Sequence, residues 1–146
     1  MINYSSDVIV NRPVSDVFRL ASDVRRFDDW TDMSGTHLLS GDRLHLGSQF
    51  ATMLRSGPVK NLTFEVTALD ENRRMGFKTV SKGPLEWDAE YTFQPDGEAA
   101  TRVTSSGQIR LKGWLRLLEP VMGGEVKKGE GKEIERFKAL AERAGG

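Results

Sequence analysis

Two aromatic side chains with polar tips are the best candidates for recognising a small molecule in this 146-residue chain. Apolar and polar residues alternate strictly along residues 85–93, which predicts a strand with one dry face and one wet face. Trp87 and Tyr91 fall on the dry face, where an indole N–H and a hydroxyl can orient a carbonyl or hydroxyl group of a ligand. The acidic residues of this strand fall on the wet face, so acid–base catalysis has little support.

Metal, thiol and phosphate chemistry also find little support in the residue types present. His37 and His45 are the only histidines, and the chain contains no cysteine. The sequence has no histidine–glutamate metal motif, no serine nucleophile elbow and no phosphate-binding loop. We therefore predict no metal and no cofactor, and the sequence assigns no catalytic residue.

Acidic and basic residues alternate in the C-terminal region. Glu130 and Glu133 lie among Lys127, Lys128 and Lys132, at spacings that let opposite charges pair along a helix surface. The pattern predicts a solvated helix face rather than a binding site for nucleic acid or for lipid headgroups.

The elements that must position these residues begin with a strand and two short helices. Period-two alternation predicts a strand over residues 2–10. Asn11 as a cap and Pro13 in the first turn predict a helix after it. A second short helix is predicted to end near Trp30.

The rest of the chain reads as consecutive strands followed by one long helix. Helical spacing of apolar residues begins near Lys112, and Pro120 is predicted to kink this helix. Glycines make residues 123–131 its weakest part, and such a stretch could gate a cavity. Turn residues delimit the predicted strands at about 36–40, 47–56, 59–69, 74–81, 85–94 and 102–111.

Length and charge limit the class of protein. The chain is predicted to form one domain over residues 1–146, and its 21 basic residues balance 21 acidic ones. With this balance the protein has no overall positive charge that would attract nucleic acid. With neither a signal-peptide pattern nor a long apolar run, we expect a cytoplasmic protein with no integral membrane association. A homodimer is left open.

Several segments together resemble one superfamily over essentially the whole chain. The strand-to-helix segment 8–18, with its proline, acidic residue and Val17-Phe18, resembles the START-like (SRPBCC) superfamily. Asp23 followed by Trp30 resembles its second helix, and residues 64–77 and 87–93 resemble its central hairpin and sixth strand. The bacterial branch named for polyketide cyclases and dehydrases is the most similar.

The resemblance implies an α+β helix-grip fold with a cavity. In this fold a curved seven-stranded antiparallel sheet wraps around a long C-terminal helix, with two short helices after the first strand. We expect the cavity to bind a small hydrophobic molecule, such as a lipid, a polyketide-like compound or an aromatic compound. The predicted walls are Phe64, Phe77, Trp87, Tyr91 and Met122, with Trp30 and Met33 near the mouth and Phe50, Met53 and Phe137 as further lining candidates.

Two alternatives remain open at the level of the sequence. The first is a polyketide cyclase or dehydrase type of enzyme acting in the same cavity, which a buried charged group with a shifted pKa would favour. The second is a protein-interaction module of the chaperone-activator type. That module would have a filled interior and an exposed apolar patch.

Overall fold

Seven antiparallel strands form a single sheet in the computed structural model, which describes residues 1–57 and 59–144. The strand order is β1-β7-β6-β5-β4-β3-β2, so all strands after β2 pair with their sequence neighbours and β1 closes on β7. The predicted strands are confirmed with shifts of a few residues at their ends. Their bounds are β1 Ile2–Val10, β2 Met33–Leu38, β3 Gln49–Leu54, β4 Asn61–Asp70, β5 Arg74–Thr79, β6 Leu85–Pro95 and β7 Thr101–Leu111.

Short helical segments separate β1 from β2, as the sequence predicted. The first helix is capped by Pro13 itself, in an extended conformation and without a side-chain hydrogen bond. The assignment of Asn11 as the cap was wrong, because Pro13 holds the cap position; the Asn11 backbone N–H donates to Glu142 Oε2 at 2.8 Å. The segments are α1 Val14–Ala21, a 3-10 turn Val24–Arg26 and α2 Phe27–Trp30.

The C-terminal helical region has two parts. A 3-10 segment covers Gly113–Leu118, and the long helix α3 covers Glu119–Ala144. The predicted kink at Pro120 was wrong, because Pro120 lies in the first turn of α3, where its missing N–H has no helical partner to lose. The glycines between residues 123 and 131 stay within this continuous helix.

The core lies between α3 and the concave face of the sheet. Ile134, Phe137 and Ala141 of α3 are buried against strand residues, and the Phe137 ring lies 4.8 Å from the Trp30 ring. Burial alternates along β6 and β7, so one face of each strand turns toward the helix. This arrangement is the helix-grip fold.

Candidate functional site

A narrow cavity lies between the sheet and α3. The centre of a water molecule can reach only about 20 Å³ of it. Side chains therefore fill most of the cavity, and it has room for about one water molecule without movement. Its aromatic lining consists of Phe27, Trp30, Phe64, Phe77, Trp87 and Tyr91.

The strands supply the walls through their alternating side chains. Phe64 on β4, Phe77 on β5 and Trp87 and Tyr91 on β6 all lie on the face that turns toward the helix. Neighbouring rings meet edge to face, with the centroid of Phe64 at 5.8 Å from Trp87 and that of Phe77 at 6.4 Å from Tyr91. These contacts fix the ring orientations around the cavity.

The turn from α2 into β2 forms one wall of the cavity. Thr31 Oγ1 donates to the Phe27 carbonyl at 2.6 Å and accepts from the Met33 N–H at 3.0 Å. This pair of hydrogen bonds ends the helix and holds Trp30 and Met33 at the cavity. Asp32 also lines it, and its carboxylate accepts from the Ser56 hydroxyl at 2.6 Å.

Some of the predicted lining residues lie elsewhere. Met53 is 50 % exposed, so its prediction as a lining residue is contradicted; its strand β3 directs Phe50 inward instead. Phe50 is buried against Phe27 and Phe64, in the core beside the cavity rather than on its surface. Phe137 packs behind Trp30, and Met122 packs against the edge of the core. None of these four is among the described residues that line the cavity.

Two buried carboxyl groups face the core from α3, where the sequence predicted a solvated surface. Glu130 and Glu133 are each only 6 % exposed, so that prediction was wrong for both. They are three residues apart, which places them on one face of the helix. Glu133 lines the cavity, and its Oε1 accepts from the Tyr91 hydroxyl at 2.8 Å.

The two carboxyl groups also hydrogen-bond to each other, which requires at least one proton between them. Burial, and then the nearby charge of Glu133, raises the pKa of Glu130 to about 11. Burial likewise raises the pKa of Glu133, although the hydrogen bonds from Glu130 and Tyr91 oppose that rise. Burial, together with the charge of Glu133, raises the pKa of the Tyr91 hydroxyl. The site therefore holds a proton at neutral pH.

A second polar pair lies on the sheet beside the carboxyl groups. The Trp87 indole N–H donates to the Tyr4 hydroxyl at 2.8 Å, so this donor is used within the protein. Tyr4 lies opposite Gly107 in the pairing of β1 with β7. A Cβ at position 107 would overlap the Tyr4 hydroxyl and the Asp88 carbonyl oxygen. Glycine at this position therefore lets Tyr4 cross over β7 to reach Trp87.

Among the described residues, three buried side-chain nitrogen or oxygen atoms have no hydrogen-bond partner. They are Trp30 Nε1, Glu130 Oε2 and Ser105 Oγ. Trp30 lines the cavity and is 1 % exposed. Buried polar groups are normally paired, so an unpaired one beside a cavity is an available contact for a ligand.

The sequence matches a known family over most of its length. The profile of the family described as polyketide cyclase/dehydrase and lipid transport covers residues 1–142. The chain belongs to this family. Its recognition as a START-like (SRPBCC) protein is thereby confirmed. No curated protein matches this family member significantly.

Solved structures share the fold of this cyclase/lipid-transport family member at low sequence identity. A protein from Thermus thermophilus has a TM-score of 0.79 and 17 % identity, with 99 % of each chain covered. A START superfamily protein from Mycobacterium smegmatis has a TM-score of 0.72 and 18 % identity, covering 97 % of this chain and 95 % of its own. The Zhui aromatase/cyclase from Streptomyces sp. R1128 has a TM-score of 0.78 and 14 % identity, covering 97 % and 93 %.

Away from the cavity, this family member exposes an apolar patch at the start of its long helix. Trp114, Leu117 and Val121 are 73 %, 80 % and 76 % exposed, respectively. Such a patch is a feature expected of an interaction module. None of the helices within residues 1–57 and 59–144 is long and apolar enough to cross a membrane. The same residues contain no group of three or more histidine or acidic side chains placed to hold a metal ion.

Proposed function

We propose that this protein binds a small, mainly apolar molecule in the cavity between its sheet and α3. The observation that carries the proposal is a cavity with aromatic walls that also contains one hydrogen-bonded polar pair, Glu133 and Tyr91. Apolar walls with a few placed polar groups are the usual composition of small-molecule sites. Removal of the ligand's apolar surface from water would supply affinity at roughly 25 cal/mol per Å², before the cost of ordering is subtracted.

A fluorescence titration with the apolar probe N-phenyl-1-naphthylamine tests this proposal. Ala89 lines the cavity, so Ala89→Leu would fill part of it, whereas Ala99 is exposed and Ala99→Leu would not. We expect the wild type and Ala99→Leu to bind alike and Ala89→Leu to lose about tenfold or more in affinity, or about 1.4 kcal/mol. Thermal unfolding would verify that each variant folds. Equal binding by all three proteins, or by none, would contradict the proposal.

A second candidate function is an enzyme of the cyclase or dehydrase type that uses the same cavity. It is favoured by the carboxyl group of Glu133 at the cavity, because burial raises its pKa and buried carboxyl groups with raised pKa values are common among catalytic acids and bases. Exchange of the α-protons of 2-tetralone with solvent deuterium, followed by NMR, tests this function. Catalysed exchange that is lost in Glu133→Gln and kept in the exposed control Glu135→Gln would support an enzyme. Absence of catalysed exchange would contradict the enzyme function, and binding would remain as the single proposed function.

A further inference from the structure

We propose that the cavity selects a ligand with a protonated amine on an apolar or aromatic body, and that Glu133 is the acceptor for this amine. The inference deepens the proposed binding function and rests on it. It assigns a positive charge to the ligand, whereas the apolar walls alone do not determine the ligand's charge.

The first argument is the sign of the charged groups at the cavity. The described residues that line it include the acidic side chains of Asp32 and Glu133, but no lysine, arginine or histidine. An anionic ligand would meet like charges there, and its own charge would be buried without a partner. A cationic ligand would meet carboxyl groups instead.

The second argument is the hydrogen-bonding capacity left at the carboxyl pair. Glu133 accepts from the Tyr91 hydroxyl and is hydrogen-bonded to Glu130. An ionised carboxylate has about four acceptor positions, so Glu133 can accept further donors from the cavity. An ammonium group brings three donors and no acceptor, which is the complement of the Glu133 carboxylate at the cavity.

The third argument is the aromatic surroundings of Glu133. The ring of Tyr91, whose hydroxyl reaches Glu133, lies 5.5 Å from the Trp30 ring and 6.4 Å from the Phe77 ring. An ammonium group within about 6 Å of an aromatic centroid is attracted to the face of the ring. A cation at the Glu133 carboxylate would lie beside Tyr91, near the two rings that pack against it, while the apolar body of the ligand contacts the remaining walls.

The groups that set the charge of this pair come from four parts of the chain. Asp32 before β2 raises the pKa of both glutamates, and Arg136 on α3 lowers it. Arg136 is not among the described lining residues, and its Nε donates to the Trp30 carbonyl at 3.2 Å. Tyr4 on β1 and Tyr91 on β6 are uncharged at neutral pH, because burial raises the pKa of each hydroxyl. Ionisation of the pair as pH rises would therefore strengthen the binding of an ammonium ligand.

Two probes of the same shape test the inference: 2-(naphthalen-1-yl)ethylamine and 2-(naphthalen-1-yl)ethanol. Their dissociation constants would be measured by isothermal titration calorimetry with the full chain near neutral pH. We expect the wild type to bind the amine at least about tenfold more tightly than the alcohol. We also expect this ratio to increase with pH, because burial raises the pKa of both carboxyl groups and only the amine gains when the pair loses a proton.

A variant and its control locate the preference. Glu133→Gln keeps the size of the side chain but cannot ionise, so the amine preference should fall to within about twofold while the alcohol still binds. Glu135→Gln, on the exposed side of the same helix, should keep the preference. Retained alcohol binding also verifies that the Glu133→Gln cavity is intact.

The outcomes distinguish failure of this inference from failure of the proposed binding function on which it rests. If the wild type binds the alcohol as tightly as the amine or more tightly, the inference that the ligand is positively charged is wrong, and the binding function stands. If neither naphthalene compound binds, the amine inference is overturned, and the titration with N-phenyl-1-naphthylamine decides whether the binding function stands. The comparison of the two probes in the wild type needs no variant, so it decides the matter even if Glu133→Gln fails to fold.

Discussion

At the scale of single residues, Glu133 combines burial with a defined set of partners. Its carboxyl group is removed from water, and the donor that reaches it from the sheet is the Tyr91 hydroxyl at 2.8 Å. A buried acceptor that loses its donor keeps the full desolvation penalty. The geometry of the site therefore depends on this one hydroxyl.

Removal of that hydroxyl should destabilise the protein. Tyr91→Phe is expected to lower the free energy of unfolding by about 1–3 kcal/mol, since Glu133 would remain buried with one donor fewer. Urea unfolding of the two single variants and the double variant, with Glu133→Leu as the second change, measures the coupling. The tyrosine substitution should have little effect once the carboxyl group is gone. An equal loss in both backgrounds would show that the hydroxyl acts independently of Glu133.

The sequence predicted the sheet side of this site better than the helix side. Phe64, Phe77, Trp87 and Tyr91 follow strict strand alternation, which determines their face without tertiary information. Glu133 was assigned to solvent because acidic and basic residues alternate around it at spacings that let them pair along a helix surface. The available signal was spacing, because Glu133 lies four residues before the buried Phe137 and therefore on its side of the helix. Whether Tyr91 or water would satisfy its carboxyl group depends on contacts across the fold.

At the scale of elements, α3 is continuous despite a composition that disfavours helix. Gly123, Gly124 and Gly129 lie within it, and a Cβ at each would meet no atom within 4 Å. Each glycine costs about 1 kcal/mol relative to alanine inside a helix. Packing of its other half against the sheet must therefore hold this helix in place.

Replacement of two of these glycines should stabilise the protein. Gly124→Ala and Gly129→Ala together are expected to raise the free energy of unfolding by about 1–2 kcal/mol, because both positions are exposed and sterically open. Urea unfolding measures the gain. Gly107→Ala on β7 is the control with the opposite expected sign. Its Cβ would overlap Tyr4 and the Asp88 backbone, so it should lower the free energy of unfolding. If the α3 substitutions and Gly107→Ala change the free energy of unfolding in the same direction, the space around the Cβ does not determine the effect of alanine at these positions.

Secondary structure itself was predictable where the period was clear and a turn followed. The alternation in β6 and β7 gave their faces correctly, and the helical spacing after Lys112 located α3 to within a turn or two. The error at Pro120 arose because the sequence does not mark where a 3-10 segment ends and an α-helix begins. Proline fits the first turn of the helix that starts there.

At the scale of the whole molecule, the buried carboxyl pair links the stability of the fold to pH. The pKa of Glu130 rises from 4.5 to about 11 on folding, so between these values the native state binds more protons than the unfolded state. The stability gained from the protonated form is complete below pH 4.5 and is lost as pH rises toward about 11. Glu133 shifts in the same direction.

Stability should therefore decrease with increasing pH across the neutral range. One proton of difference corresponds to about 1.4 kcal/mol of unfolding free energy per pH unit, and coupling with Glu133 spreads this change over a wider range. Urea unfolding from about pH 5 to about pH 8 should show a clear decline for the wild type and for Glu135→Gln. Glu130→Gln, which stays uncharged, should reduce the slope. Equal slopes for all three proteins would mean that Glu130 ionises as readily in the folded state as in the unfolded one.

The narrowness of the cavity has a kinetic consequence. The centre of a water molecule can reach only about 20 Å³ of the cavity, so a molecule of ten or more heavy atoms must wait for side chains or α3 to move. Association would then be limited by this opening rather than by diffusion. In stopped-flow experiments the observed rate constant would level off as ligand concentration increases, and the plateau would report how often the protein opens.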